Sequence, residues 1–215
     1  MNPSGSIERN DSVGRTREGL DPRRSVLFEK EGTEPANRLE VQMNGLRWQI
    51  PLHQGHKTAV YLDQYENYSR VGALTQGLNS PRVLDAFTFM GGFALHCAKA
   101  GASKVIAIDQ SQEALQAAQQ NAALNGLDQA CDWVHGNVFD WLKEKSQQPQ
   151  LEDMFDLIIL DPPSFTRNRH AISEALRGYK EITLRAMRLL RPGGILASFC
   201  CSHHIDPLTF EASVI

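Results

Sequence analysis

Three groups of residues have the types and spacing to do chemistry. In the first, the apolar run Arg82-Val83-Leu84-Asp85-Ala86-Phe87 breaks into Thr88-Phe89-Met90-Gly91-Gly92, and Asp109 ends the next apolar run 24 residues after Asp85. A strand, a glycine turn, a helix and a second strand ending in an acid is how open α/β sheets hold an adenosine-containing cofactor. The glycines admit the ligand close to backbone, and the acid, at a spacing of about 20 residues, accepts from ribose hydroxyls. The second group is Asp161-Pro162-Pro163-Ser164-Phe165, directly after the apolar run Phe155–Leu160. Two prolines fix φ and end ladder pairing, making a rigid ledge with a carboxylate at its base. The third is Phe199-Cys200-Cys201-Ser202 at the end of another apolar run. Cysteine is often a small buried hydrophobe, and a vicinal pair on a strand points to opposite sides, so one thiol is expected in the core and the other is free to act as a nucleophile.

The first group also indicates which cofactor. The glycine spacing is not G-x-G-x-x-G, and a carboxylate just before the turn would repel a dinucleotide pyrophosphate. It suits a cofactor carrying a positive charge and an amino group, and S-adenosylmethionine (SAM) has both. Asp85, Phe87, Thr88, Gly91, Gly92, Asp109 and Gln110 are the candidate residues for it, with Asp161 and with Asn137 for the adenine edge. His203 and His204 are expected to be surface or supporting residues, since nothing nearby completes a metal site.

Elements must bring these groups together. From Pro81 onward, apolar runs predict strands at 82–87, 104–109, 131–135, 155–160 and 194–200. Helices are predicted at 92–100, at 112–125 with Ser111 as N-cap and Gly126 as stop, and at 171–190 before Arg191-Pro192-Gly193-Gly194. Strands alternating with helices make an α/β fold with a parallel, doubly wound sheet, and its ligands bind at the carboxyl ends of the strands. Upstream, Leu39–Met43 and Leu46–Ile50 flank Asn44-Gly45, a hairpin signal too short to stand alone. Residues 1–12 are polar and expected to be disordered. Residues 13–55 form a small β-rich segment. Residues 56–215 are the main domain, with Tyr61, Leu62, Tyr65, Tyr68 and Val71 on one face of its first helix. The helix after Asp206 has no strand after it, so a chain truncated at its C-terminus is expected.

Composition excludes several classes. The chain has 215 residues, 41% apolar and 22% charged, as in globular proteins. No apolar run approaches the ~18 residues of a membrane span, and no signal peptide opens it, so a cytoplasmic protein is expected. The four cysteines lack C-x-x-C spacing, which argues against a metal site or a disulfide framework. A net charge of −3 does not advertise nucleic-acid binding, yet Asp161–Arg191 holds seven Lys/Arg against three Asp/Glu.

Taken together, Gly55-His56-Lys57-Thr58, Leu62-Asp63-Gln64, the Asp85–Phe93 turn, Asn121-Ala122-Ala123-Leu124-Asn125-Gly126-Leu127, Asp161–Phe165, Arg177-Gly178-Tyr179-Lys180 and the Phe199–Ser202 strand end resemble the SAM-dependent large-subunit ribosomal RNA cytosine-5 methyltransferases, over roughly residues 8 to 212. The resemblance implies a Rossmann-like class I methyltransferase domain preceded by a small central β domain, without the family's N-terminal PUA domain and last strands. It implies RNA, and ribosomal RNA in particular, as partner, and no membrane. Cys201 aligns with the family's cysteine and is the expected nucleophile, with Asp161 steadying the target base. Phe165 or Tyr179 would stack on that base, with Pro162 and Arg177 beside it. Two family arginines are replaced by Tyr65 and Tyr68, and Cys200 stands for a serine. The alternatives are methylation of an RNA base nitrogen, which needs no cysteine, and an inert SAM-binding fragment.

Overall fold

The structure is a computed structural model that describes residues 5–10, 13–30, 38–52, 61–147, 150, 154–166 and 171–215. Its centre is a five-stranded, all-parallel sheet of β5 (Arg82–Ala86), β6 (Lys104–Asp109), β7 (Cys131–His135), β8 (Phe155–Leu160) and β9 (Leu190–Ser198), in the order β7-β6-β5-β8-β9. The central strands β5 and β8 are almost wholly buried, as both covered faces of a doubly wound sheet require, while β7 and β9 at the edges are partly exposed. Alternate residues sort them. Val83, Val105, Ala107, Leu157 and Ile159 pack toward α3 (Gly92–Lys99) and α4 (Gln112–Leu124), and Leu84, Ala86, Ile108, Ile158 and Leu160 pack toward α5 (Val138–Gln147) and α6 (Ile172–Leu189). The predicted strands and helices all occur, but α5 was not foreseen. Strand β9 starts at Leu190, ahead of its expected start: Leu190 pairs with Phe155, and beside it Arg191 Nη1 donates to both carboxylate oxygens of Asp156 at 2.9 Å.

The hairpin β3 (Arg38–Met43) and β4 (Leu46–Pro51) turns at Asn44 and Gly45, both at positive φ. It is stabilised by burying Leu46 and Trp48 in the core. The backbone of β4 is met by two asparagines one turn apart on and after α4. Asn125 accepts from the Arg47 N–H at 2.9 Å and donates to its carbonyl at 2.7 Å, and Asn121 accepts from the Gln49 N–H at 2.8 Å. They take the place of a neighbouring strand.

Two expectations fail here. Within residues 1–12, β1 (Gly5–Asn10) is a strand, antiparallel to β2 (Arg23–Glu29), with α1 (Val13–Arg17) between them. Polar composition does not forbid a strand whose partner satisfies it, and Ser25 and Arg23 both reach the Glu8 carboxylate across the ribbon, at 3.0 and 3.3 Å. In α2 (Tyr65–Gln76), preceded by the 3-10 turn Leu62–Gln64, Tyr68 and Val71 are buried but Leu62 and Tyr65 face solvent. Leu62 lies in the 3-10 turn, outside the α-helical period, and Tyr65 is the first residue of α2.

A candidate cofactor and methyl-transfer cleft

The carboxyl ends of the strands open on a cleft of about 1080 Å³, more than one small ligand needs. Register decides which side chains reach it. Asp85 lies beside Ala107 and Ile159, whereas Asp109 and Asp161 lie two positions farther out, level with Phe87. Asp109 and Asp161 line the cleft; Asp85 is completely buried.

The turn between β5 and α3 is strained, with Phe87, Phe89 and Gly91 at φ of 70°, 51° and 84°. Such values in non-glycine residues persist only where the surroundings enforce them. Two acids do so. Asp85 Oδ2 accepts from the Thr88 hydroxyl at 2.6 Å and from the Ala94 N–H at 2.8 Å. Asp109 Oδ2 accepts from the Phe89 N–H at 2.9 Å and its Oδ1 from the Ser111 N–H at 2.8 Å. The expectation that Asp85 meets the cofactor directly is therefore corrected. It is a positioning residue, its Oδ1 is without a partner among the described residues, and burial pushes its carboxyl up to about 7.

Gly91 is likewise packed behind the wall. A Cβ there would meet the Trp133 ring at 3.1 Å, while at Gly92, which does line the cleft, it would strike the Tyr68 ring at 2.6 Å. Tyr68 stacks on His96, and His96 on Trp48 of the hairpin, with centroids 5.3 and 6.2 Å apart; the His96 Nδ1–H donates to the Gly92 carbonyl at 2.7 Å. Phe87, Thr88 and Gln110 line the cleft as expected. Asn137 lines it too, but its Oδ1 caps α5 by accepting from the Phe139 and Asp140 N–H groups at 2.9 and 3.3 Å, leaving its amide donor for a ligand.

On the other side stand Asp161 and the two cysteines. Asp161 is pushed up to about 6 by burial, and its Oδ1 accepts from the Cys201 thiol at 3.7 Å. Burial first, then the charges of Asp161 and Asp63, push that thiol up to about 12. Cys201 is exposed, while the half-buried Cys200 packs toward Ala175, Tyr179 and Ile205. Ser202 anchors the strand end through the hydroxyls of Tyr179 and Ser164 at 3.0 and 3.1 Å, so His203 and His204 are presented at the cleft on a turn closed by the Ile205 N–H on the Ser202 carbonyl.

Three substrate-side expectations change. Tyr179 is fully buried and Phe165 packs against it with centroids 4.5 Å apart and the rings tilted by 40°, and neither lines the cleft. Arg177 is exposed on α6, away from the lining. Pro162 does line it, with Pro163. Gly55–Thr58, Arg167 and Arg169 lie outside the described residues. Sequence reasoning missed Tyr61, Asp63, Gln64, Tyr68 and Trp48 as lining residues. The Leu62-Asp63-Gln64 motif was the available signal.

The site fits SAM. Its charged lining among the described residues is Asp63, Asp109 and Asp161, with no Lys or Arg, which suits a sulfonium and an amino group and would repel a pyrophosphate. Asp109, which lines the cleft, has remaining lone pairs that could accept from a ribose diol.

Known proteins resemble this chain in sequence and in fold. A family described as S-adenosylmethionine-dependent methyltransferase matches residues 21–211. Ribosomal RNA large subunit methyltransferase I of Aeromonas salmonicida is 38% identical over 96% of this chain and 50% of its own length. The protein of that name from Shewanella amazonensis is 39% identical over 91% of this chain and 47% of its own. The chain thus spans about half the length of the curated relatives it matches. In fold, the crystal structure of a SAM-dependent methyltransferase from Agrobacterium tumefaciens superposes with a TM-score of 0.76 at 17% identity, over 99% of this chain and 64% of that one.

Proposed function

We propose that this chain, which belongs to the S-adenosylmethionine-dependent methyltransferase family, forms 5-methylcytosine in ribosomal RNA through a covalent adduct of Cys201 with C6 of the target base. The relatives' name supports the RNA class. The observation that carries the chemistry is the exposed Cys201 thiol hydrogen-bonded to Asp161 across the mouths of β8 and β9.

C5 of cytosine is a weak nucleophile, and adding sulfur at C6 pushes electron density onto it, dividing one hard step into two. With its pKa raised, Cys201 waits as a thiol. As sulfur bonds to C6, the S–H proton passes to Asp161, the acceptor it already faces. The protonated Asp161 then donates to N3, where negative charge develops. When bound, the cofactor supplies an electrophilic methyl group, which C5 takes up. Loss of the C5 proton to a base at the cleft, where His203 and His204 are the imidazoles among the described residues, expels the sulfur as thiolate, and the N3 proton returns through Asp161 to restore the Cys201 thiol. Tyr61, Phe89 and Gly92 line the cofactor side, and Pro162 and Pro163 form the ledge beside the base. The acidic lining admits a flipped-out or unpaired base and keeps phosphates outside.

Labelled methyl transfer to ribosomal RNA, followed by digestion to nucleosides, tests the reading. Label in 5-methylcytidine is expected. Label on a ring or exocyclic nitrogen, or SAM binding without transfer, would replace it with one of the two alternatives.

A further inference from the structure

Gln64 takes no part in the chemistry above, yet it is 6% exposed and reaches the reactive pair. Its Nε2 donates to Asp161 Oδ1 at 3.4 Å, the same oxygen that accepts the Cys201 thiol at 3.7 Å. Its Oε1 accepts from the Asn67 Nδ2 at 2.7 Å. That second bond fixes the amide, since a flip would set Oε1 against the carboxylate and leave Asn67 facing a donor. A directed chain runs from Asn67 through Gln64 to Asp161. Together with the Cys201 thiol it gives Oδ1 two donors, while Oδ2 takes none among the described residues.

We infer that Gln64, held by Asn67, is a positioning residue that holds the Asp161 carboxylate in place between Cys201 and the substrate and moderates its basicity toward the thiol. The inference rests on the proposed role of the Cys201–Asp161 pair, but the arrangement can be tested without methyl transfer. A donor on Oδ1 spreads and stabilises the carboxylate charge. Removing it makes Asp161 a stronger base and a stronger local negative charge, so the Cys201 thiolate becomes harder to form.

The test is alkylation of Cys201 by iodoacetamide, in which the thiolate displaces iodide, followed by mass spectrometry at pH 8 in the apo protein. A Cys200→Ser background isolates the site, because Cys97 and Cys131 are buried. Asp161→Asn should speed the reaction about tenfold or more, as one unit of thiol pKa is a tenfold change in thiolate. Gln64→Met should slow it about threefold, and Asn67→Ala should slow it less. In the Asp161→Asn background, Gln64→Met should have no effect. Gln64→Glu keeps the side-chain shape and should also slow the reaction. A merely structural role predicts the opposite sign, because loosening the cleft exposes the thiol and speeds alkylation. Faster or unchanged alkylation in Gln64→Met, or an equal change in both backgrounds, overturns the inference while leaving the proposed methyl transfer standing. Loss of 5-methylcytidine formation with the predicted alkylation pattern intact would do the reverse.

Discussion

Asp85 and Asp161 are acids near the ends of adjacent parallel strands, and burial raises both carboxyls, to about 7 and about 6. Their work is nonetheless different. Asp85 lies level with Ile159 in the β5–β8 register, two residues short of Asp161, about 7 Å along a strand. That offset puts Asp85 beneath the turn, where it holds Thr88 and Ala94, and puts Asp161 in the cleft facing a thiol. Burial of a carboxyl alone therefore does not mark a reactive group. A reactive one also needs an open oxygen and a partner that can change.

The sharpest break between the two regions is on the reactive side. Cys201→Ala should lower methyl transfer by at least about 10³-fold while SAM binding persists, because removing a nucleophile abolishes the covalent route. Cys200→Ser should be tolerated. Radiolabelled transfer alongside calorimetry of SAM separates the effects.

On the cofactor side, Asp109→Asn should weaken SAM binding by tenfold or more, about 1.5–3 kcal/mol for a charge-assisted bond. Asparagine keeps an acceptor for Phe89 or Ser111 but not for both. Unchanged affinity by calorimetry would remove the ribose assignment.

For Asp85 the expected loss is in stability. Asp85→Ala strands the Thr88 hydroxyl and the Ala94 N–H and should cost about 1–3 kcal/mol in urea unfolding. The sign of its pH dependence follows from a folded pKa raised from 3.8 to about 7. Its contribution is fully present below the lower value and is lost as pH rises through the higher one. Wild type should therefore lose stability relative to Asp85→Asn between pH 4 and 7 and run parallel to it above. A difference independent of pH would mean that Asp85 is ionised when folded.

Much of this organisation was legible in the chain. Val83, Leu84, Val105, Ile106 and Leu157–Leu160 are continuous apolar runs, which only a sheet covered on both faces buries, and Asn44-Gly45 announced its hairpin. Helix α5 was not, because its buried face of Val138, Leu142 and Ser146 is narrow and ends in the polar residues Ser146–Gln150. Within the site, residue types and spacing pointed to Asp109 and Asp161, which line the cleft, but left Cys200 and Cys201 open, and only the family resemblance favoured Cys201. Composition carried no information about register, so the burial of Asp85 and the pairing of Phe165 with Tyr179 became visible only in three dimensions. Gln64 was hidden for another reason. An amide carries no charge and no reactivity, and its role depends wholly on Asn67 and Asp161.

The smallest effect expected is on RNA affinity. Arg177, Lys180 and Arg188 are exposed on α6, whereas Arg185 is held by the Phe139 carbonyl at 2.8 Å and by Glu181. With three exposed cations on that helix among the described residues and an acidic cleft, the slope of log K against log salt should be shallow, about −2 to −3 for a single strand. Filter binding across salt concentrations measures it. A slope near −6 would require a second basic surface, for which the ribbon and helix carrying Arg15, Arg17 and Arg23 are the available source.

The central claim is that Cys201, facing Asp161, attacks C6 of a cytosine. RNA in which the target cytidines are replaced by 5-fluorocytidine tests it directly, because fluorine at C5 cannot leave as a proton and the adduct is trapped. With SAM present, wild type and Cys200→Ser should form a denaturant-stable protein–RNA complex whose cross-linked peptide maps to Cys201, and Cys201→Ala should form none. A complex that persists in Cys201→Ala, or full methyl transfer by wild type with no trapped species, would contradict the account.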